Sequence, residues 1–462
     1  MDAIPNPYTS RMAEFVAELK FEQIPPEVIE RIKLLILDSL GCAIFGAQLP
    51  WSRILIDTLA GLDGTASCAV WGTGQRLSAP HAALANGALV QSFELDDVHR
   101  QGVLHAGAVA LPPLVAIAET RRGTSGRDFL TAAVAGYEVG PRVGQCMGPE
   151  HLVQGWHSGA TVGVFAAAAA AASALRLPKE KVTHALGIAG TQSSGLMAAQ
   201  FGAMVKRMHA GRAAQSGLYA AMLAERGFTG ITDVFENPYG GFCTTFSRST
   251  DRFDLEQLSS GLGERYETMR ISIKLYACVS TNHTSLDALR KIRERRRFEA
   301  AEVQSITVHC SRATVEHAGW PYRPEGMTAA QLNLSFCLAT LLLEGDVFVE
   351  QFSEAAIRDP RRISLARKVR VIEDTDITNR GAAFRHMIRL TVRLTDGSEY
   401  SETVEAPRGS EAQFPGRNII TAKFDKLTRG QIPPGQRNRI REMILNLEQL
   451  NDAGEVARAL NV

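Results

Sequence analysis

Gly159-Ala-Thr-Val-Gly-Val-Phe-Ala-Ala-Ala-Ala-Ala-Ala-Ala-Ser-Ala-Leu175 carries seven consecutive alanines at 166–172. Alanine loses no side-chain entropy in a helix, and its small face lets neighbouring backbones approach closely. A stretch this apolar, yet built of such small groups, predicts a helix at the centre of a tightly packed bundle. Its neighbours share the texture. His81 to Phe93, Ala106 to Thr120, Arg127 to Gly144 and Pro178 to Ala189 are all rich in Ala and Gly. Pro26 opens a further helix through Val28–Asp38, with apolar residues at three- and four-residue spacing. Ala213 to Arg226 reads as another helix.

The pattern changes after about Met269. Val303 to Cys310 alternates as a strand does, and Val369 to Glu373 is a second candidate. Met387 to Leu394 and Glu399 to Glu405 flank Asp396-Gly397, a type I′ hairpin signal. Helices are expected at Thr328 to Leu343, Arg361 to Lys368 and Gln436 to Leu460. The expected fold is mainly α, partitioned as an all-helical domain over 1–268, an α+β lid over 269–405, and a segment over 406–462 that returns to the helices.

Bulk properties narrow the function. The chain has 462 residues, 45% hydrophobic and 21% charged, so two domains are the default. A net charge of +1 argues against nucleic-acid binding, which needs a basic excess. The longest apolar run is too short for a membrane span, and the start has no signal-peptide profile. Seven singly scattered cysteines give neither a disulfide framework nor a zinc cage. A cytoplasmic protein is expected. Gly72-Thr-Gly74 lacks the third glycine and the context of a dinucleotide site.

Five segments hold chemistry. Lys206-Arg-Met-His-Ala-Gly-Arg212 puts Lys206, Arg207, His209 and Arg212 just ahead of the helix at Ala213. Cations at the positive pole of a helix are unfavourable unless an anion joins them, so an anion is expected there; a solvated basic loop is the alternative. Glu94-Leu-Asp-Asp-Val-His-Arg100, with His105 delivered to the start of a helix, gathers three carboxylates and two imidazoles. That set reads as an acid–base cluster, or as a metal site without a recognised spacing. His157, in Gly155-Trp-His-Ser-Gly159, sits near a helix N-terminus, where the neutral imidazole is favoured and a general base is possible; a packed structural imidazole is the alternative. Lys274 lies in an apolar run before Cys278, Asn282 and His283, either snorkelling to solvent or facing an acid. Tyr322, in Trp320-Pro-Tyr-Arg-Pro324, is a proton donor or a hydrogen-bonded aromatic. Together these groups suit proton transfer next to a carboxylate, with cations steadying the carbanion.

In ordered blocks the chain resembles the MmgE/PrpD family, which contains 2-methylcitrate dehydratase, cis-aconitate decarboxylase and iminodisuccinate epimerase. The blocks are Glu94-Leu-Asp-Asp97, His105, Gly136-Tyr-Glu138, Gly155-Trp-His157, Ala185 to Gly190, Lys206 to Arg212, Gly227-Phe-Thr-Gly230 and Lys274 through Cys278 to His283. The resemblance implies a helical domain with an α+β lid, a site between them, catalysis without metal or organic cofactor, and a homodimer. It implies His105, His157, Lys206, Lys274 and Tyr322 as catalytic, with Asp97, Arg207, His209 and His283 binding a small polycarboxylate substrate. Departures stand beside it. Glu94 and Val98 fall where decarboxylase-like members carry Asp and Thr, Ala106 where many have Pro, Leu275 and Ala277 replace two prolines, and Val279 falls on the decarboxylase's lid histidine. Dehydration of a citrate-like acid is the first expectation, then epimerisation of an amino- or imino-dicarboxylate, then decarboxylation. A carboxylate-binding scaffold is the alternative that does no chemistry.

Overall fold

The computed structural model describes residues 7–148 and 150–461. Its centre is the alanine helix Gly163–Ala174, in which Ala166 to Ala172 are wholly buried. Helices Ala106–Thr120, Gly126–Met147, Lys179–Gly190 and Val205–Glu225 surround it. Their approach depends on missing side chains. A Cβ at Gly136 would lie 2.9 Å from the Ala166 carbonyl oxygen, and one at Gly211 would collide with the Leu84 carbonyl. Close-packed interiors do not yield to such additions without cost, typically ~1–3 kcal/mol for overpacking.

The molecule is mainly α, with a smaller mixed-sheet unit. In that unit Val303–Cys310 runs parallel to Val369–Glu373 and antiparallel to Ile388–Leu394, which pairs in turn with Glu399–Val404. Ile388, Leu390, Val392 and Leu394 are buried, alternating with more exposed residues. Helices His283–Arg295 and Leu334–Glu344 cover the sheet with a second core. The main core instead joins the N-terminal helices to Ile420, Phe424, Ile440, Ile444 and Leu460 near the C-terminus.

Several expectations need correction. The helical part also contains two short ladders, Cys68–Ala69 with Arg76–Leu77 and Val98–His99 with Ile271–Ser272. The basic segment does not precede a helix: Lys206 to Arg212 lie in its first turns, because the helix starts at Val205. The Gly159–Leu175 helix is stepped at Val162, and the Thr328–Leu343 helix breaks at Asn333, whose side chain caps the second piece. The hairpin is not type I′. Of Asp396 and Gly397, only the glycine is left-handed (φ 87°), which fits a type I turn closed by an αL residue. Helices Pro50–Leu62, His283–Arg295 and Arg417–Thr428 stand in addition to those expected. No single helix among the described residues is long and apolar enough to cross a membrane.

Candidate active site

The short ladder of Val98–His99 against Ile271–Ser272 draws the acidic block to the edge of the second core and sets Lys274 beside it. Glu94 turns there with a left-handed backbone (φ 55°), and Val103 does so further on (φ 50°). Side chains other than glycine rarely adopt this region, and β-branched ones least of all, so both are strained positions of the kind that gather at functional sites. His105 is the N-cap residue of helix Ala106–Thr120, and His157 that of Ser158–Thr161.

Glu94 is the hub. Its buried carboxylate binds Lys206, Arg207 Nη1 at 2.8 Å and Lys274 Nζ at 3.2 Å. Burial pushes the carboxyl pKa up, but Lys206, Lys274 and Arg207 together hold it well below the usual range. Asp96 is likewise buried. His105 Nδ1 lies 2.9 Å from its Oδ2 and Lys274 Nζ 3.7 Å from its Oδ1. His105 and Lys274 outweigh the burial and keep Asp96 lowered. Burial lowers Lys274, yet Glu94 and Asp96 leave it raised, so the ammonium is firmly charged. Lys206 is lowered by burial more than Glu94 restores.

Glu94, His105 and Lys274 line a cavity of about 120 Å³ between the helical part and the lid. A water needs roughly 10–15 Å³ on this scale, so about ten small atoms fit. Val98 and Val279 line it too, with His317, Arg385 and His386 from the lid. A larger hollow of about 480 Å³ lies elsewhere, along Leu196, Ala199, Val205 and Met208. It is mostly apolar, and although His209 and Arg212 line it, Glu94, His105 and Lys274 do not, so the smaller cavity is the candidate site.

The remaining predicted residues fall around the cavity in different ways. Lys206 and Arg207 stand behind Glu94, their charge already met by it. Arg207 also donates to Gln331 and Thr328. His157 and His209 form a buried pair with Nδ1 atoms 3.1 Å apart. Burial first and Lys206 second keep His157 neutral, well below its ordinary pKa, and bring His209 down to about 4. Desolvation, rather than the helix pole, is the main cause. Asp97 accepts from Gly107 N–H at 3.0 Å and Tyr137 OH at 2.8 Å, fastening the start of the His105 helix. Burial and the neighbouring Asp96 raise it to about 8. His283 contacts the Cys278 carbonyl at 3.1 Å, and burial lowers it to about 3. Tyr322 is not brought to the cavity. It donates to the Ile357 carbonyl at 2.8 Å and packs on Phe336. Arg212 is exposed, on Gln215. Lys274, left open between solvent and acid, faces acid.

Residues 10–254 match the MmgE/PrpD N-terminal domain, and residues 276–449 the MmgE/PrpD C-terminal domain. The chain belongs to the MmgE/PrpD family. It is 34% identical over 470 residues to a cis-aconitate decarboxylase of Aspergillus terreus, across 98% of this chain and 96% of that protein. It is 36% identical over 467 residues to a cis-aconitate decarboxylase-like protein of Aspergillus oryzae, across 97% and 96%. With the human cis-aconitate decarboxylase it shares 26% over 464 residues, across 98% and 94%. Kinship of this extent with decarboxylases supports an enzyme.

In this MmgE/PrpD chain three ionisable cavity residues escaped the sequence reading: His317, Arg385 and His386. His317 Nδ1 sits 3.2 Å from Thr281 Oγ1, and burial with nearby Arg385 and Lys206 lowers it to about 4. The only local signal for the other two was an Arg-His dipeptide directly ahead of the strand at Ile388.

Proposed function

We propose that this protein is a lyase acting on a small di- or tricarboxylic acid, with His105 as the group that moves the proton. The observation that carries the reading is the Asp96–His105 pair beside Lys274 on one cavity wall. Asp96 places a carboxylate 2.9 Å from the imidazole nitrogen, the company a catalytic histidine keeps. Lys274 supplies the fixed positive charge that an enolate-like carbanion needs as it forms. His157 is neutral and able to accept a proton, but it touches His209 rather than the cavity, so His105 is favoured as the reacting base.

The relatives' names bring decarboxylation of cis-aconitate ahead of the dehydration expected first from sequence. In decarboxylation a C–C bond breaks and carbon dioxide leaves. The electron pair stays on the conjugated remainder next to a carboxylate, and protonated His105 returns a proton to carbon. Dehydration of a citrate-like acid remains the second reading, favoured by Val98 and Val279. Both line the cavity where the resemblance expects Thr and His for decarboxylation.

One experiment separates these outcomes: proton NMR in deuterated water with cis-aconitate, citrate, 2-methylcitrate and iminodisuccinate-like acids. Carbon dioxide release from cis-aconitate supports the first reading, and a new alkene from a hydroxy acid supports the second. Solvent exchange alone indicates an epimerase. Binding without turnover or exchange would remove the enzyme reading and leave the carboxylate-binding scaffold, and an absence of binding as well would remove both.

A second copy of this chain is the partner we propose, seated on exposed Leu196, Met204, Val205 and Ile54. These side chains border two adjoining, mostly apolar hollows at the start of the basic helix, and exposed apolar patches of this kind mark interaction surfaces. Light scattering that gives a monomer would overturn this. A cytoplasmic setting accords with seven unpaired, buried cysteines.

A further inference from the structure

Arg385 is a half-buried guanidinium on the lid side of the cavity, and no Asp or Glu among the described residues pairs with it. Its Nη2 donates to the Arg100 carbonyl at 2.7 Å and its Nε points to His386 Nε2 at 3.2 Å, leaving Nη1 without a partner among the described residues. Arg100, the other guanidinium on this wall, is different. Glu411 holds it through both Nε and Nη2, so its charge is met. His317 and His386 flank Arg385 on the same wall. Burial and the neighbouring guanidinium charges keep both imidazoles largely neutral, so neither can repel an incoming anion strongly. His105 and Lys274, the groups that would do the chemistry, line the same cavity.

We propose that Arg385 is a substrate-specificity residue, binding through its unpaired guanidinium edge a second carboxylate of the acid whose reacting end lies at His105 and Lys274. This rests on the polycarboxylate reading above and deepens it. Even a half-buried cation without a counter-ion carries a desolvation cost, and a planar guanidinium matches carboxylate geometry, so an anionic ligand group is what this guanidinium lacks. Two cations, Lys274 and Arg385, lining one small cavity select acids with carboxylates beyond the reacting one. Arg385 touches substrate but moves no proton.

The test uses calorimetric titration of the full-length protein with tricarballylate and with butyrate, a monoacid that can occupy the Lys274 side alone. The unaltered protein should bind tricarballylate more tightly. Arg385→Gln should weaken tricarballylate binding by roughly 10- to 100-fold, the scale of a lost charge-assisted pair, and change butyrate by less than about 2-fold. Arg385→Lys should fall between. With a turned-over substrate, Arg385→Gln should raise KM far more than it lowers kcat. Equal losses for both acids, or no loss for either, would overturn the proposal. Thermal melting of each variant identifies unfolding, and Arg385→Lys then carries the comparison: tricarballylate binding as tight as in the unaltered protein would overturn it. If the unaltered protein binds neither acid, the polycarboxylate reading itself falls. If it binds both and only the Arg385 variants are indifferent, that reading stands and this one does not.

Discussion

Replacing Glu94 by Gln tests the electrostatic core of the site most directly. The substitution keeps the volume and an acceptor oxygen but deletes the charge that faces Lys206, Arg207 and Lys274. Removing one member of a buried ion pair typically costs about 3–5 kcal/mol, because the partner is left uncompensated. Three cations are stranded here, although Lys206, already lowered by burial, can shed its proton and limit the cost. The expected loss is therefore about 3 kcal/mol, or roughly 6–12 °C in Tm at about 2–4 °C per kcal/mol for a domain of this size. Scanning calorimetry measures it. The pH dependence gives a second readout. The folded Glu94 pKa lies below its ordinary value of 4.5, so its stabilisation is fully present above that value and drains away as pH falls through the folded value. The unaltered protein should lose Tm on acidification below about pH 4.5 more steeply than Glu94→Gln, so the two should converge. Citrate should raise the Tm of the variant more than that of the unaltered protein, since an added carboxylate can fill the vacated place. A variant melting within about 1 °C of the unaltered protein, with the same acid limb, would refute the hub assignment.

His105→Asn should lower kcat by roughly 10²- to 10⁴-fold with little change in substrate binding, read by steady-state kinetics beside calorimetric titration. Tyr322→Phe should leave kcat/KM within about 2-fold and cost about 1 kcal/mol in denaturant unfolding, because its hydroxyl is spent on the Ile357 carbonyl. Asp97, raised to about 8, binds its proton more tightly folded than unfolded, so the stability it contributes is present below about pH 4 and lost as pH rises through 8. Asp97→Asn should flatten that decline in unfolding free energy; an unchanged slope between pH 5 and 8 would show that the group titrates normally.

The parts of the fold legible in sequence were those set by local periodicity. Ala106–Thr120 and Val303–Cys310 appear at the bounds their patterns predict, and His105 and His157 both sit at helix starts as their loops suggested. Positions that depend on distant partners were not legible. The positive pole of the basic helix does require an anion, but nothing near Lys206 says that Glu94, 112 positions earlier, provides it. Arg385 and His386 carry no motif, and only the folded lid brings them to the cavity that His105 lines. The hairpin turn went astray because Asp-Gly fits two turn types, and the strands decide which one their twist accepts.

That Glu94 is the anion at the helix mouth changes how a substrate must enter. Lys206 and Arg207 cannot receive a substrate carboxylate without giving up Glu94, and neither lines the cavity. The charged side chains that do line it are Glu94 on one side, then Lys274, Arg100 and Arg385. Arg100 is neutralised by Glu411, and Lys274 is divided between Glu94 and Asp96. On the function proposed above, an incoming polycarboxylate therefore meets negative charge behind Lys274 and uncompensated positive charge at Arg385. Coulomb forces in so small a space are strong enough to orient it. On that same reading its outer carboxylate turns to Arg385 and its carbon chain lies against His105. The proposed reacting carbon then meets the imidazole with Lys274 to steady developing charge, an interaction worth more as that charge grows than in the ground state.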